Sequence, residues 1–341
     1  MILIACLRSS GFWLIAIATM VCSCSNNLDL VAPDDPIPVV CCRMDPAEQI
    51  FYLTLTKSFS GNANGFELAR NTDELYYENA DIRLEAWEFD YKVWETRFVL
   101  TDQPKNPGIF PETPGFCYVT KDPLPFVSNE NGQMDFSSDI NSFRLVINHP
   151  GDLGPAISRI PILRIPVKLH PSNWEKSFDL YPSTGNFDLK YLINDDLIKY
   201  CELICVFRYR EFKESWEDHS VTFSVRKNIQ IDDHNANTYI DPDLFFNKLL
   251  VNIKPIDSSL VRKFVSLDLV FLAGDEYYKD YSETYVNAGN MDSPPLGNIS
   301  NGLGLFTMVR SVRINTMSLT QRTSDSLSRA VIPNPLGFSK W

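Results

Sequence analysis

Apolar residues in this chain recur at every second position, in short runs that stop at Pro, Gly or Asn. That period puts alternate side chains on opposite faces of a strand and restricts the chain to sheets with one buried face. Ile50–Thr56 sets Phe51, Leu53 and Leu55 on one face and threonines on the other. Asp81–Leu100 reads as a hairpin, with Ile82, Leu84 and Ala86 alternating outward and Trp94, Phe98 and Leu100 alternating back. Asn131-Gly132 is a turn signal of the kind that closes two-residue hairpins. Phe143, Leu145 and Ile147 mark a strand before His149-Pro150-Gly151-Asp152, and others follow at Phe187–Ile193, Cys201–Arg210, Val221–Val225 and Val265–Leu272. Such strands, broken by turn residues, predict a sandwich or barrel and not a Rossmann-type sheet.

Helical signals are few. Asp241-Pro242-Asp243 ahead of Leu244-Phe245-Phe246 supplies a cap, a proline in the first turn and an early acidic residue, predicting a helix near 241–251. A second is predicted near 275–287. There Tyr277, Tyr281 and Tyr285 recur every four residues on one face, with Tyr278 beside them. This stripe is read as the side that docks on a sheet; the alternative is a ligand or partner surface whose rings stack on a sugar. The Pro-rich stretch Ile160–Pro171 divides the body into residues 37–165 and 166–341.

Ahead of this body lies a targeting segment. Arg8 and the amino terminus precede the apolar run Gly11–Val21, too short for a hydrocarbon core that takes about 20 residues. The run ends in Val21-Cys22-Ser23-Cys24, which reads as a bacterial lipobox with cleavage before Cys24. Residues 1–23 are then removed, and the Cys24 thiol and new amino group carry acyl chains that hold the protein on a membrane. An ordinary secretory signal would also accept Val21 and Ser23. Ser25 stands where an aspartate would signal inner-membrane retention, which favours the outer membrane. Residues 24–36 form a polar tether with three aspartates and no basic residue, loosely like the surface-export signals of Bacteroidota lipoproteins.

The net charge of −12 and the absence of a basic cluster flanked by aromatics argue against nucleic-acid binding. Five cysteines remain after Cys24: Cys41, Cys42, Cys117, Cys201 and Cys205. Cys41 and Cys42 point to opposite faces of a strand. Cys201 and Cys205 share a face but sit about 13 Å apart, too far to pair with each other. Buried free thiols are the expectation, with other pairings left open. No His-Glu-x-x-His, Gly-x-Ser-x-Gly or phosphate-cradling glycine loop occurs, so no catalytic residue, metal ligand or cofactor is assigned. His149, His170, His219 and His234 are the four histidines, and only His234, in Asp232-Asp233-His234-Asn235, sits in a cluster suited to a hard cation at a loop.

Three segments give the chain a likeness. They are Pro38-Val39-Val40-Cys41-Cys42-Arg43-Met44-Asp45-Pro46 with the strand that follows, Glu276-Tyr277-Tyr278-Lys279-Asp280-Tyr281, and Asn298-Ile299-Ser300-Asn301-Gly302-Leu303-Gly304-Leu305-Phe306. In these the chain resembles a functionally uncharacterised family of Bacteroidota outer-membrane lipoproteins, commonly encoded beside TonB-dependent receptors. Asn301 stands where that family's first glycine is expected. The resemblance implies an N-terminal immunoglobulin-like β-sandwich, a second β-rich domain, and no established catalytic residues. Gly302 and Gly304 are expected to serve a packed corner leading into a strand at Leu303–Val309. The functional expectation is a non-enzymatic, surface-exposed accessory to a TonB-dependent transporter that takes a glycan or peptide ligand or pairs with the receptor. A structural or adhesion module and a glycan or peptide hydrolase are the alternatives.

Overall fold

The computed structural model describes residues 36–58, 75–102, 115–122, 124–128, 134–137, 139–170, 177–182, 186–253, 261–286, 297–329 and 336–339. Cys24, the segment 1–23, most of the tether and Asn131-Gly132 lie outside them. The fold is mainly β, with three helices among the described residues. The first strands are Pro38–Met44 (β1), Tyr52–Lys57 (β2), Asp81–Glu88 (β3), Tyr91–Asp102 (β4) and Phe116–Thr120 (β5). A small hairpin, Phe126–Ser128 (β6) and Met134–Phe136 (β7), precedes Ser142–Asn148 (β8) and Ala156–Pro161 (β9). Then come Val167–His170 (β10), Ser177–Phe178 (β11), Phe187–Leu192 (β12), Tyr200–Phe212 (β13) and Trp216–Arg226 (β14). Ile231–Asp232 (β15) and Asn235–Ile240 (β16) lead to helix α1, Pro242–Asn252. The chain continues through Val261–Gly274 (β17), helix α2 at Glu276–Val286, Leu303–Leu319 (β18) and helix α3 at Gln321–Arg329.

The alternation read from the sequence is the burial pattern observed in β2 and β3; on β4 Phe98 is buried and Trp94 half-buried, but Leu100 is exposed. Phe51, Leu53 and Leu55 are buried on one side of β2, and Ile82, Leu84 and Ala86 on one side of β3. β4 pairs with β3 as far as Arg97 and with β5 from Phe98 on, so one strand turns from one layer into the other. Inner faces of β1 and β2 thereby close on those of β3 and β8 over one shared core. In the second half β14, β13, β17 and β18 form an antiparallel sheet. Its inner face holds Leu203, Cys205, Phe207, Leu269 and Phe271, covered by Tyr191 of β12 and by α1. α1 starts where its cap predicts: the Asp241 carboxylate accepts from the Leu244 N–H at 2.9 Å, and Phe245 and Leu249, four apart, are its buried face.

Strand pairing crosses the expected boundary near residue 165. Leu303–Met308 lies parallel to β1, with Val39 opposite Leu303 and Met44 opposite Met308. From Val309 on, the same β18 runs antiparallel to β17. Leu163, inside the Pro-rich stretch, is fully buried, and its carbonyl accepts from Arg310 Nε at 2.5 Å. Arg310 is itself 2% exposed, bonds Asp135 of β7 and lies over the Phe136 ring.

The corner expected at Gly302 and Gly304 is the entry to β18. Gly304 has φ +100 and sits opposite Val40, whose carbonyl oxygen would be 2.0 Å from a Cβ at this position. Asn301 also takes a left-handed φ of 53, which asparagine tolerates better than most residues. Cys41, Cys42, Cys201 and Cys205 are free; Cys42, Cys117, Cys201 and Cys205 are buried and Cys41 is exposed. Burial pushes the Cys201 thiol up to about 12.

Two outcomes are expected. Gly304→Ala forces both a strained φ and a backbone collision, and a loss on the order of 3 kcal/mol in denaturant unfolding is expected. In native protein Cys41 is alkylated first among the five thiols, and mass-spectrometric mapping finds the other four modified only in denaturant.

Candidate functional site

α2 is built on the end of β17. Gly274 closes that strand, and a Cβ there would lie 2.7 Å from Cδ1 of Tyr278, so the glycine makes room for the ring. Asp275 caps the helix: its Oδ1 accepts from the Tyr278 N–H at 2.8 Å and from Thr307 Oγ1 at 2.7 Å. Asp275 is 5% exposed and, among the described residues, its Oδ2 has no hydrogen-bond partner. Burial pushes its carboxyl above the usual range, and the bonds from Thr307 and Tyr278 only partly oppose this.

The helix docks through Tyr278 and Ser282, one turn apart. Tyr278 meets Tyr200 edge-on at 5.4 Å, and the Tyr200 hydroxyl accepts from Ser282 Oγ and donates to Glu202 Oε2, both at 2.9 Å. Burial raises the Tyr200 phenol well above its ordinary value. The Arg43 guanidinium of β1, paired with Glu48 at 3.1 Å, also stands close enough to the Tyr278 phenol to favour its charged form, against the burial that raises it. The stripe expected to dock does not: Tyr277 and Tyr281 are 41% and 36% exposed. The reason is angular. At 3.6 residues per turn, Tyr277 stands about 100° and Tyr281 about 60° from Tyr278, both on the side away from Ser282, and the Asp275 cap turns the Tyr278–Ser282 side to the sheet. The Tyr285 side chain lies outside the described atoms.

A groove of about 600 Å³ opens on another side of α2, lined by Lys279 and Glu283 of the helix and by Asp195, Asp196, Asn228 and His234 of the facing loops. Tyr277 and Tyr281 do not line it. Asp195 is committed to the fold, accepting from the N–H groups of Arg164 at 2.7 Å and Leu197 at 3.0 Å. Asp196 is exposed, with His234 Nδ1 4.0 Å away. Asn228, Asp233 and His234 all have positive φ, so the groove wall is made of turns that few side chains favour. Among the described residues no three His, Cys, Asp or Glu side chains gather as metal ligands. The four histidines fall on separate elements: His149 after β8, His170 in β10, His219 in β14 and His234 between β15 and β16. The arrangement presents carboxylates, an ammonium and an imidazole around a polar hollow beside an exposed tyrosine pair. That equips it to bind a polar ligand.

No family model matches the chain, and no curated protein matches it. Among solved structures, it is similar to a DUF4785 family protein from Legionella pneumophila, at 10% identity and a TM-score of 0.20, over 69% of this chain and 52% of that one. It is also similar to the C-terminal globular domain of an oligosaccharyltransferase from Pyrococcus abyssi, at 15% identity and a TM-score of 0.22, over 63% of this chain and 39% of that one. The chain thus spans about half the length of the first and less of the second. Likenesses this weak bear on neither site nor function.

The raised Asp275 carboxyl has a pH signature. The folded state holds this proton more tightly than the unfolded one, so its contribution to stability is complete below the ordinary carboxylate range. It is lost as pH rises through the raised value. Asp275→Asn keeps a capping side chain and carries no charge. Its melting temperature relative to the natural protein is therefore expected to increase between pH 4 and pH 7, measured by thermal unfolding at each pH.

Proposed function

We propose that this chain is a lipid-anchored protein of the bacterial outer membrane, facing the cell exterior, that serves as a non-enzymatic accessory to a TonB-dependent transporter. It captures substrate for the receptor or covers its mouth. The observation that carries this reading is Cys24 at the end of a lipobox, followed by an acidic tether that feeds directly into β1. Residues 24–36 reach at most roughly 45 Å when extended, so the body stays close to whatever surface holds the acyl chains. Because β1 is bonded on one side to β2 and on the other to β18, the anchor pulls on the middle of a sheet and not on a loose end. A polar groove and exposed tyrosines on α2 support a binding role, with a glycan or a peptide as the ligand.

Radiolabelled palmitate is expected to enter the natural protein and not Cys24→Ala, which should leave the membrane fraction. A tagged natural protein should co-purify with a β-barrel receptor. An unlabelled protein whose Cys24→Ala form still sediments with membranes would overturn the anchor, and repeated purification without any barrel would overturn the partnership.

A further inference from the structure

The outer face of the β4–β3–β8–β9 layer carries an arrangement that packing alone disfavours. Arg83 lies directly opposite Arg97, and Arg144 directly opposite Arg159. Like charges in directly opposed positions destabilise a sheet. Arg144 and Arg159 both lie over the Trp87 ring, at 5.8 and 5.6 Å from its centre. The nearest carboxylate, Glu85, is shared: Trp87 Nε1 donates to it at 3.1 Å, Lys92 is 3.6 Å away and Arg144 is 3.7 Å away. Arg159 bonds Ser142 Oγ and the Phe89 carbonyl and pairs with no carboxylate among the described residues. Asp81 is likewise divided between Arg83 and Arg97, at 3.6 and 3.7 Å, and Arg97 is 66% exposed. Glu95, bonded to Lys92 at 2.6 Å, also acts on Arg83 and Arg97, so it is the Arg144–Arg159 pair that is short of an anion among the described residues, on a chain of net charge −12.

The same layer ends in an aromatic tip. Phe89 and Tyr91, in the turn from β3 to β4, are 73% and 77% exposed. Phe89 has φ 48, a left-handed conformation that is costly for so bulky a residue, and the bond from Arg159 to its carbonyl holds it there. This tip lies away from the tether. The Tyr77 hydroxyl bonds the Pro36 carbonyl beside His149, at the Asp81–Asn148 end of β3 and β8, whereas Phe89 follows the opposite end of β3.

We propose that this face binds a carboxylated glycan, such as a chain containing uronic acids. Guanidinium pairs recognise carboxylates through two parallel hydrogen bonds, and the exposed rings offer flat apolar surface to the C–H faces of sugars. The arginine pairs stand two strands and two residues apart, about 12 Å, which suits separated charges along one chain. The position of the tip, turned from the tether, fits a ligand arriving from solution.

The test is calorimetric titration of the full chain in detergent with oligogalacturonate, its methyl ester and poly-glutamate. Oligogalacturonate should bind, and methyl esterification should weaken it. Arg97→Gln, Arg144→Gln and Tyr91→Ala should each weaken it by roughly ten-fold, the loss of one charge-assisted bond or ring contact. Arg97 and Tyr91 are exposed enough for their variants to fold, and an unchanged melting temperature checks this. Absence of binding, binding indifferent to all three substitutions, or equal affinity for poly-glutamate would overturn the proposal. Since binding is read in solution and the transporter partnership by co-purification, failure of one is distinguishable from failure of the other.

Discussion

β18 lies beside β1 along Leu303–Met308 and beside β17 from Val309 on, and both halves of the molecule take their register from it. Sheet register is unforgiving, because a slip of one residue sends every core side chain to solvent. Gly304 fixes the parallel part: its φ of +100 and its approach to the Val40 carbonyl exclude any side chain at that point. Once Gly304 is seated, Leu305 to Met308 fall opposite Cys41 to Met44, and the first core closes. The antiparallel part then delivers Val312, Ile314 and Met317 to the second core.

Arg310 marks the changeover. A buried guanidinium is costly unless its hydrogens are met, and here Nε and Nη2 are met by groups far away in sequence, the Leu163 carbonyl and Asp135, with the Phe136 ring beneath, while Nη1 has no hydrogen-bond partner among the described residues. These contacts hold the β6–β7 hairpin and the Pro-rich segment against β18. A hydrophobic side chain would fill the space but would choose no particular partner. The arginine specifies which loop sits there.

Much of the fold was legible because alternation is local. β2, β3, β8, β13 and β17 are where period two places them, and Asp241-Pro242 announces α1 as short-range capping chemistry does. Cys41 and Cys42 divide between faces for the same reason. What was not legible depends on pairing across distance. β18 runs ten residues past Val309 because β17 lies alongside; Val312 and Ile314 alternate with Arg313 and Asn315, but the phase breaks at Thr316, where φ is 53, before Met317 and Leu319 resume it. α3 went unseen since Leu327 is the one apolar residue in Gln321–Arg329. In the candidate site, the helix and its tyrosines were legible, but which face docks was not. That is decided by Asp275, Thr307 and Gly274, which meet only after β17 and β18 are in place. Opposed arginines on β3, β4, β8 and β9 could not be read at all without the register.

The placement of β1 has a mechanical consequence. Whatever tugs on the chain ahead of Pro38 loads this strand along its length, with ladders on both flanks and their bonds lying across the direction of force. Under such shear the rungs share the strain and must rupture together, whereas an edge strand pulled sideways would unzip one rung at a time. The load also passes through the parallel ladder into β18, and so into the far half of the molecule. Flow or a moving partner would therefore strain the whole body as one piece.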